Sequence, residues 1–459
     1  MNPPILYDDL PTLDDKLGWA KQLERLSERI QHCPTPHVLG IHGDWGSGKT
    51  SFMRQLQERL GGKMPDDGSV TKENDFLTPD EQQELEQQIA TVWFDAWRYQ
   101  NESVPVVALL QEMRRQMGAL PSVIQKFKQL GDITLRYTLN SLADVGKIIG
   151  VEGLPSAEKI EKLGENWEKE HYAQTFACDS IRDHLQQTIK SLLPGDQARV
   201  VIFIDDLDRC NPKAAIRLLE GLKIYLSIPN CVYVLGMNER ILVDAIREEI
   251  SAPKETPIEE LKLRAGHYLE KICTDIYRLP LPNKPAELLA AWIKDSDQKL
   301  ALFEAIGDLT CLPPNPRRLK ALANQWSRFA GKVAFPSAGV ERKIWAVCVL
   351  VAAYIHQFHR DLWERWHFKP DFWNELKAWC LGERASAEAP KWAAALKFTE
   401  RQTSVGDANA PSAWNSDYPN PGDIDIFWVD SLIRHYRDQL APQDFIPLLA
   451  PQSDNEATP

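Results

Sequence analysis

Cysteine, basic charge and long apolar runs are all scarce in this 459-residue chain, and each scarcity removes a class of protein. The eight cysteines are scattered, and the closest two are Cys210 and Cys231. That leaves no CxxC pair, zinc knuckle or disulfide framework, so reduced thiols are expected. Sixty-five acids against 53 bases give a net charge of −12, so charge does not indicate a nucleic acid partner. The longest clean apolar stretch, IWAVCVLVAAYI at 344–355, falls well short of the ~20 residues of a spanning helix and reads as a buried core helix. The first residues, MNPPILYDDLPTLDD, lack the basic-then-apolar layout of a signal peptide. A soluble, cytoplasmic protein without integral membrane anchoring is therefore expected.

What is present is globular. Apolar residues make up 43 % and charged residues 26 %, and the length suits two or three domains. Residues 12–30 carry Leu17, Ala20, Leu23, Leu26 and Ile30 at helical spacing, with Asp14 or Asp15 as the cap. A short strand at 37–41 follows, and then a helix with Met53, Leu56 and Leu60 on one face, stopped by Gly61-Gly62. A polar stretch at 63–88 precedes IATVWFDAWRY, a strand that runs into an aromatic cluster. Residues 105–195 read as mostly helical. VVIFI at 200–204 and 232–235 read as buried parallel strands, with a helix after Asn211-Pro212 between them. Alternation of this kind predicts an α/β fold with a three-layer parallel sheet. From about 285 the strands stop. Helices are expected at 285–330 and 340–383, a loop or linker at 403–425, and a disordered tail at 451–459.

The chemistry starts at Gly43-Asp44-Trp45-Gly46-Ser47-Gly48-Lys49-Thr50, followed by Ser51, which matches G-x-x-x-x-G-K-[ST] between an apolar strand and an amphipathic helix. Its glycines let successive N–H groups curl around a phosphate. Lys49 is placed to reach the β- and γ-phosphates, Thr50 to offer its hydroxyl to Mg²⁺, and the helix dipole to favour the anion. Such a loop needs a carboxylate at the end of a neighbouring buried strand, and VVIFI-Asp205-Asp206 supplies one. Asp205 is placed for the Mg²⁺ shell and Asp206 to orient or deprotonate water. Asp208 and Arg209 read as a local ion-pair network.

GDWGSGKTSF, VWFDAWRY, IFIDDLDRC, YVLGMNER, YLEKICTDIYRLPLP and NPRRLKALAN together resemble the KAP family of P-loop NTPases, within the STAND-like switch ATPases. The matching blocks run from about 14 to 330. The resemblance implies nucleotide at residues 43–51, with ATP favoured and GTP the alternative, and Mg²⁺ held by Thr50 and Asp205. It also implies a catalytic carboxylate at Asp206 and an arginine, Arg317 or Arg318, near the γ-phosphate. Read from the residues alone, Asn315-Pro316 starts a helix with Leu319, Leu322, Trp326 and Phe329 as its buried stripe. The two arginines then equally suit first-turn surface positions. Two departures stand out. Many relatives carry a transmembrane hairpin between the P-loop and the DDLDRC strand, where this chain has only SLADVGKIIGV. And Asn238 follows the fourth strand where many relatives have an aspartate.

The organisation expected is an NTPase core at 1–285 with a helical insertion at about 105–195, a helical lid at 286–335 and a C-terminal helical module at 336–459. The activity expected is Mg²⁺-dependent NTP hydrolysis serving as a molecular switch. It would couple nucleotide state to a protein partner through the C-terminal module, with a nucleotide-dependent oligomer as a second option. The family association suggests bacterial antiphage defence. A P-loop kinase and a non-hydrolysing nucleotide-dependent scaffold are the alternatives. Trp93 and Trp97 are expected in the core and Trp45 to brace the phosphate loop. The C-terminal tryptophans, Trp363, Trp366 and Trp373 among them, suit a helical core or a partner surface. His356, His359 and His367 lie within twelve residues and His356 and His359 share a helix face, but that pair has no third ligand at matching spacing, so zinc is not expected.

Overall fold

The computed structural model describes residues 9–65, 67–71, 88–101, 198–211, 228–238, 258–282, 284–306, 315–336 and 339–381, with scattered positions between and beyond them. Most of the expected helical insertion at 105–195, and the segments 141–151, 403–425 and 451–459, lie outside the described residues. The chain divides into two compact units, one of Leu10–Pro280 and one of Met1–Asp9 with Leu281–Pro459.

The first unit is built on five strands, β1 (His37–His42), β2 (Ile89–Asp95), β3 (Arg199–Asp205), β4 (Cys231–Met237) and β5 (Asp275–Arg278). They pair in the order β2-β3-β4-β1-β5, and every pairing is parallel. β1 and β4 are buried along their whole length, as strands covered on both faces must be. Alternate side chains separate the two cores. Val201 and Phe203 join Leu39, Ile41, Val232 and Val234 beneath α1 (Ala20–His32) and α2 (Lys49–Arg59), which contribute Leu23, Ile30, Phe52 and Leu56. Val200, Ile202 and Ile204 face the other way, with Val92, Phe94 and Tyr233, against Leu261, Leu269 and Ile272 of α3 (Ile258–Ile272). Helices therefore cover both faces, and the fold is the three-layer α/β arrangement expected.

Two local features differ from expectation. The helix expected over 12–30 begins only at Ala20, because Gly18 takes φ +74°, a left-handed turn that ends any earlier helical run. The Asp15 carboxylate then caps the start, accepting from the backbone N–H of Trp19 at 2.9 Å and of Ala20 at 2.8 Å. The strand β5 was not expected. Its four residues are half-buried or exposed and form no apolar run, so it carries little signal of its own.

The second unit is helical where described: α4 (Pro285–Ala291), α5 (Ser296–Ile306), α6 (Pro316–Ala330), α7 (Val340–Phe358), α8 (Arg360–Phe368) and α9 (Phe372–Leu381). α6 starts as its sequence implies, with Asn315 Oδ1 accepting from the Arg318 N–H at 3.2 Å and Pro316 in the first turn. Leu319, Leu322, Trp326 and Phe329 are buried. In α7 every residue from Ala346 to Ile355 is buried, so the apolar run forms a core helix, and no described helix is long and apolar enough to cross a membrane. Trp366 and Trp373 stack at 5.3 Å, and Phe445 lies 4.6 Å and 4.5 Å from their rings. Those two tryptophans therefore belong to a helical core. Trp379, Trp392, Trp414 and Trp428 lie outside the described side chains.

Candidate nucleotide-binding site

β1 ends at His42, and the chain turns through Gly43–Gly48 before α2 begins at Lys49. Gly46 and Gly48 take φ +79° and +93°, so the loop folds back on itself and leads directly into a helix N-terminus. A side chain at Gly43 would place Cβ 2.6 Å from Ser47 Oγ, so this glycine permits the tight wrap. Ser47 is 5 % exposed, and its Oγ has no hydrogen-bond partner among the described residues. A buried hydroxyl without a partner, inside a glycine loop at a helix N-terminus, fits a phosphate acceptor.

Lys49 is buried at the mouth of this loop. Its Nζ donates to the Gly43 carbonyl at 2.8 Å and to the Asp44 carbonyl at 3.1 Å, and it meets Asp208 Oδ2 at 2.8 Å. Thr50 donates its hydroxyl to the Asp205 carboxylate. Ser51 Oγ accepts from the Thr12 N–H at 3.1 Å, which ties the segment before α1 to the loop.

Asp205 is the last residue of β3 rather than the first beyond it, and β3 is not the neighbour of β1. β4 lies between them, and its Gly236 makes the reach feasible. A Cβ there would stand 2.8 Å from Asp205 Oδ1 and 2.8 Å from Met53 Sδ, so the carboxylate passes over β4 where β4 has no side chain. Asp205 is sealed from solvent. Burial raises its carboxyl above the ordinary range, opposed by the hydrogen bonds from Thr50 and from the Asp206 N–H.

Asp206 takes φ 57°, a left-handed conformation that Asp tolerates better than most residues. The chain then makes a 3-10 turn over Leu207–Arg209. That turn aims Asp208 at Lys49 and puts Arg209 Nε 2.8 Å from Asp206 Oδ1, so the two ion pairs form the local network its sequence suggests. Burial, and then the neighbouring Asp205, push the Asp206 carboxyl up to about 7, against the pull of Arg209. Asp95, at the end of β2, is in register with Asp205. Arg54 of α2 lies 3.5 Å over the Trp93 ring, its charge disfavoured by burial (to about 10) and favoured by Asp205, Asp67 and Asp95.

The aromatic expectations need correction. Trp45 is 60 % exposed. The indole packed close against the loop is Trp19: a Cβ on Gly48 would lie 2.8 Å from its Cη2, and its ring meets Phe52 edge-on at 5.2 Å. Trp19 lies in DDKLGWAKQLERL, where the matching blocks begin, but nothing in that stretch singles it out as a contact of the loop. Trp93 stacks on Phe203 at 5.7 Å, but Trp97 is 47 % exposed and lies outside the core. Arg317 and Arg318 belong to the second unit. There Arg317 pairs with Asp9 at 2.8 Å, and the Arg318 guanidinium lies 4.3 Å from the Phe358 ring centre. Asn238, directly after β4, is buried beside the strand end where Gly43 N–H donates to the Met237 carbonyl at 3.2 Å.

Three comparisons relate the chain to known proteins. Residues 19–300 match the model of the KAP family P-loop domain. The phage T7 exclusion protein of Escherichia coli (strain K12) is 22 % identical over 295 residues, which is 60 % of this chain and 34 % of that protein. The chain thus spans about a third of the length of that curated relative. A solved structure, the Walker-type ATPase of Pyrococcus abyssi, is 13 % identical with a TM-score of 0.34, over 86 % of this chain and 89 % of that one.

Proposed function

The chain belongs to the KAP family of P-loop NTPases, and from that premise we propose that it hydrolyses ATP, with GTP the alternative, and uses nucleotide state to switch its hold on a protein partner. The observation that carries this reading is the joining of Lys49, Thr50 and Asp205 at the glycine loop, with the Thr50 hydroxyl already on the Asp205 carboxylate across Gly236. In this reading Gly43–Ser51 wrap the phosphates and Lys49 supplies a point charge to them. Thr50 and Asp205 would hold Mg²⁺, a hard cation suited to one hydroxyl and one carboxylate. When bound, the ion would supply positive charge against the charge developing on the phosphate. Asp206, in a left-handed turn directly after Asp205, would orient and deprotonate the attacking water. Arg317 or Arg318 senses the γ-phosphate, and the helices after residue 336 carry the response to the partner or to another copy of the chain.

The phage exclusion relative extends the proposal to bacterial defence in the cytoplasm, with plaque formation on cells expressing wild-type or Lys49→Ala protein as the test in vivo. The biochemical test is nucleotide binding and phosphate release by Asp206→Asn. That substitution keeps the shape and one acceptor oxygen while removing the base. Binding should persist, and turnover should fall ~10²–10⁴-fold. Wild-type turnover in the variant would move the base elsewhere.

A further inference from the structure

We propose that Asp208 is a resident counter-ion of the phosphate-binding lysine, a positioning residue that an incoming phosphate must displace. The inference rests on the nucleotide reading above. An ammonium has three N–H donors. The three acceptors around Lys49 Nζ are the Gly43 and Asp44 carbonyls and the Asp208 carboxylate, at 2.8, 3.1 and 2.8 Å, so all three donors are engaged. A phosphate oxygen that reaches Nζ therefore replaces one of them. The two carbonyls belong to the loop that wraps the ligand. Asp208 is the anion, and a second anion at the same ammonium meets like-charge repulsion in a site where both side chains are under a tenth exposed. Asp208 is the acceptor that leaves.

Its departure has a structural consequence. Asp208 is the middle residue of the turn Leu207–Arg209, whose ends are held by the Arg209 N–H on the Asp206 carbonyl at 3.1 Å and the Cys210 N–H on the Leu207 carbonyl at 3.3 Å. The same turn keeps Arg209 on the Asp206 carboxylate. Releasing Asp208 loosens the clamp on Asp206, so occupancy of the phosphate loop is communicated to the neighbouring carboxylate through three consecutive residues.

The test uses the full chain in EDTA, with ATP and, separately, tripolyphosphate titrated calorimetrically into wild type and Asp208→Asn. The amide retains an acceptor for Lys49 and removes the competing charge. Both ligands should bind the variant roughly tenfold more tightly, because the competition is for charge and not for the base. A gain in affinity is an effect that general damage to the fold does not produce. In wild type, either ligand should slow hydrogen exchange across 43–52 while speeding it at the Arg209 and Cys210 amides. This second measurement decides the matter even if the variant does not fold. Equal or weaker binding by folded Asp208→Asn, or a turn protected together with the loop, overturns the counter-ion role while leaving the nucleotide reading intact. A wild-type chain that binds neither ligand overturns both.

Discussion

Lys49 and Asp208 meet at 2.8 Å with side chains 6 % and 7 % exposed, so the lysine that defines the phosphate loop is also half of a buried ion pair. Removing one partner of such a pair leaves the other charge buried and uncompensated, which costs about 3–5 kcal/mol. Lys49→Met should therefore lower stability in urea as well as abolish the ATP-induced rise in Tm. The double variant Lys49→Met/Asp208→Asn should recover much of the stability and none of the nucleotide response. A single variant as stable as wild type would show that the pair contributes nothing.

Gly236 offers a second prediction. Gly236→Ala forces a methyl group into the 2.8 Å gaps toward Asp205 Oδ1 and Met53 Sδ. Overpacking at a site closed on both sides costs about 1–3 kcal/mol. The Asp205 carboxylate should also be pushed from Thr50, so the extra stabilisation that Mg²⁺ adds to bound ATP should shrink. Chemical denaturation and ATP thermal shifts, each with and without Mg²⁺, measure the two effects. An unaltered Mg²⁺ increment would show that the carboxylate does not need that gap.

Trp19→Ala should cost about 3–5 kcal/mol, as large aromatic truncations in cores do. It should also weaken nucleotide binding, because the indole edge is what Gly48 rests on. Trp19→Phe keeps an aromatic against Phe52 but withdraws the six-membered ring of the indole, so it should recover more stability than affinity. Recovery of both in equal measure would reduce Trp19 to a core residue.

His37 gives the pH dependence. It is buried in β1, and its Nε2 has no partner among the described residues. Burial, and then the nearby Arg29, lower its pKa below the ordinary 6.5, with Asp275 opposing. The native state therefore binds fewer protons than the unfolded chain once pH falls below about 6.5. The stability due to neutral His37 is present above that value and is lost as pH drops. His37→Val, a residue suited to a buried strand, should flatten the Tm curve between about pH 7 and 5. A slope unchanged by the substitution would place the proton uptake elsewhere.

Much of this site was readable before any coordinates, because its parts are local. The spacing of Gly43, Gly48, Lys49 and Thr50 specifies a loop and a helix start, and five apolar residues before Asp205 specify a buried strand end. Spatial order is a different matter. Sequence order does not say that β4 separates β1 from β3, so the role of Gly236 was hidden, since a glycine in a strand also marks a bulge. Trp19 lies upstream of the glycine loop, in a stretch with no phosphate-binding pattern to point at it. Trp45 and Trp97 are the reverse case: an aromatic near a strand usually packs inward, and here the turns that follow β1 and β2 carry both outward. β5 is too short for its period to show against the helices before and after it.

The order of the sheet also bears on how the chain tolerates change in length. Among the described strands β2 is outermost with β3 its neighbour, and β1, β4 and β3 are the three strands that space the loop from Asp205. Even one residue inserted within β4 would shift Gly236 out of line with Asp205 and put a side chain in the path of the carboxylate.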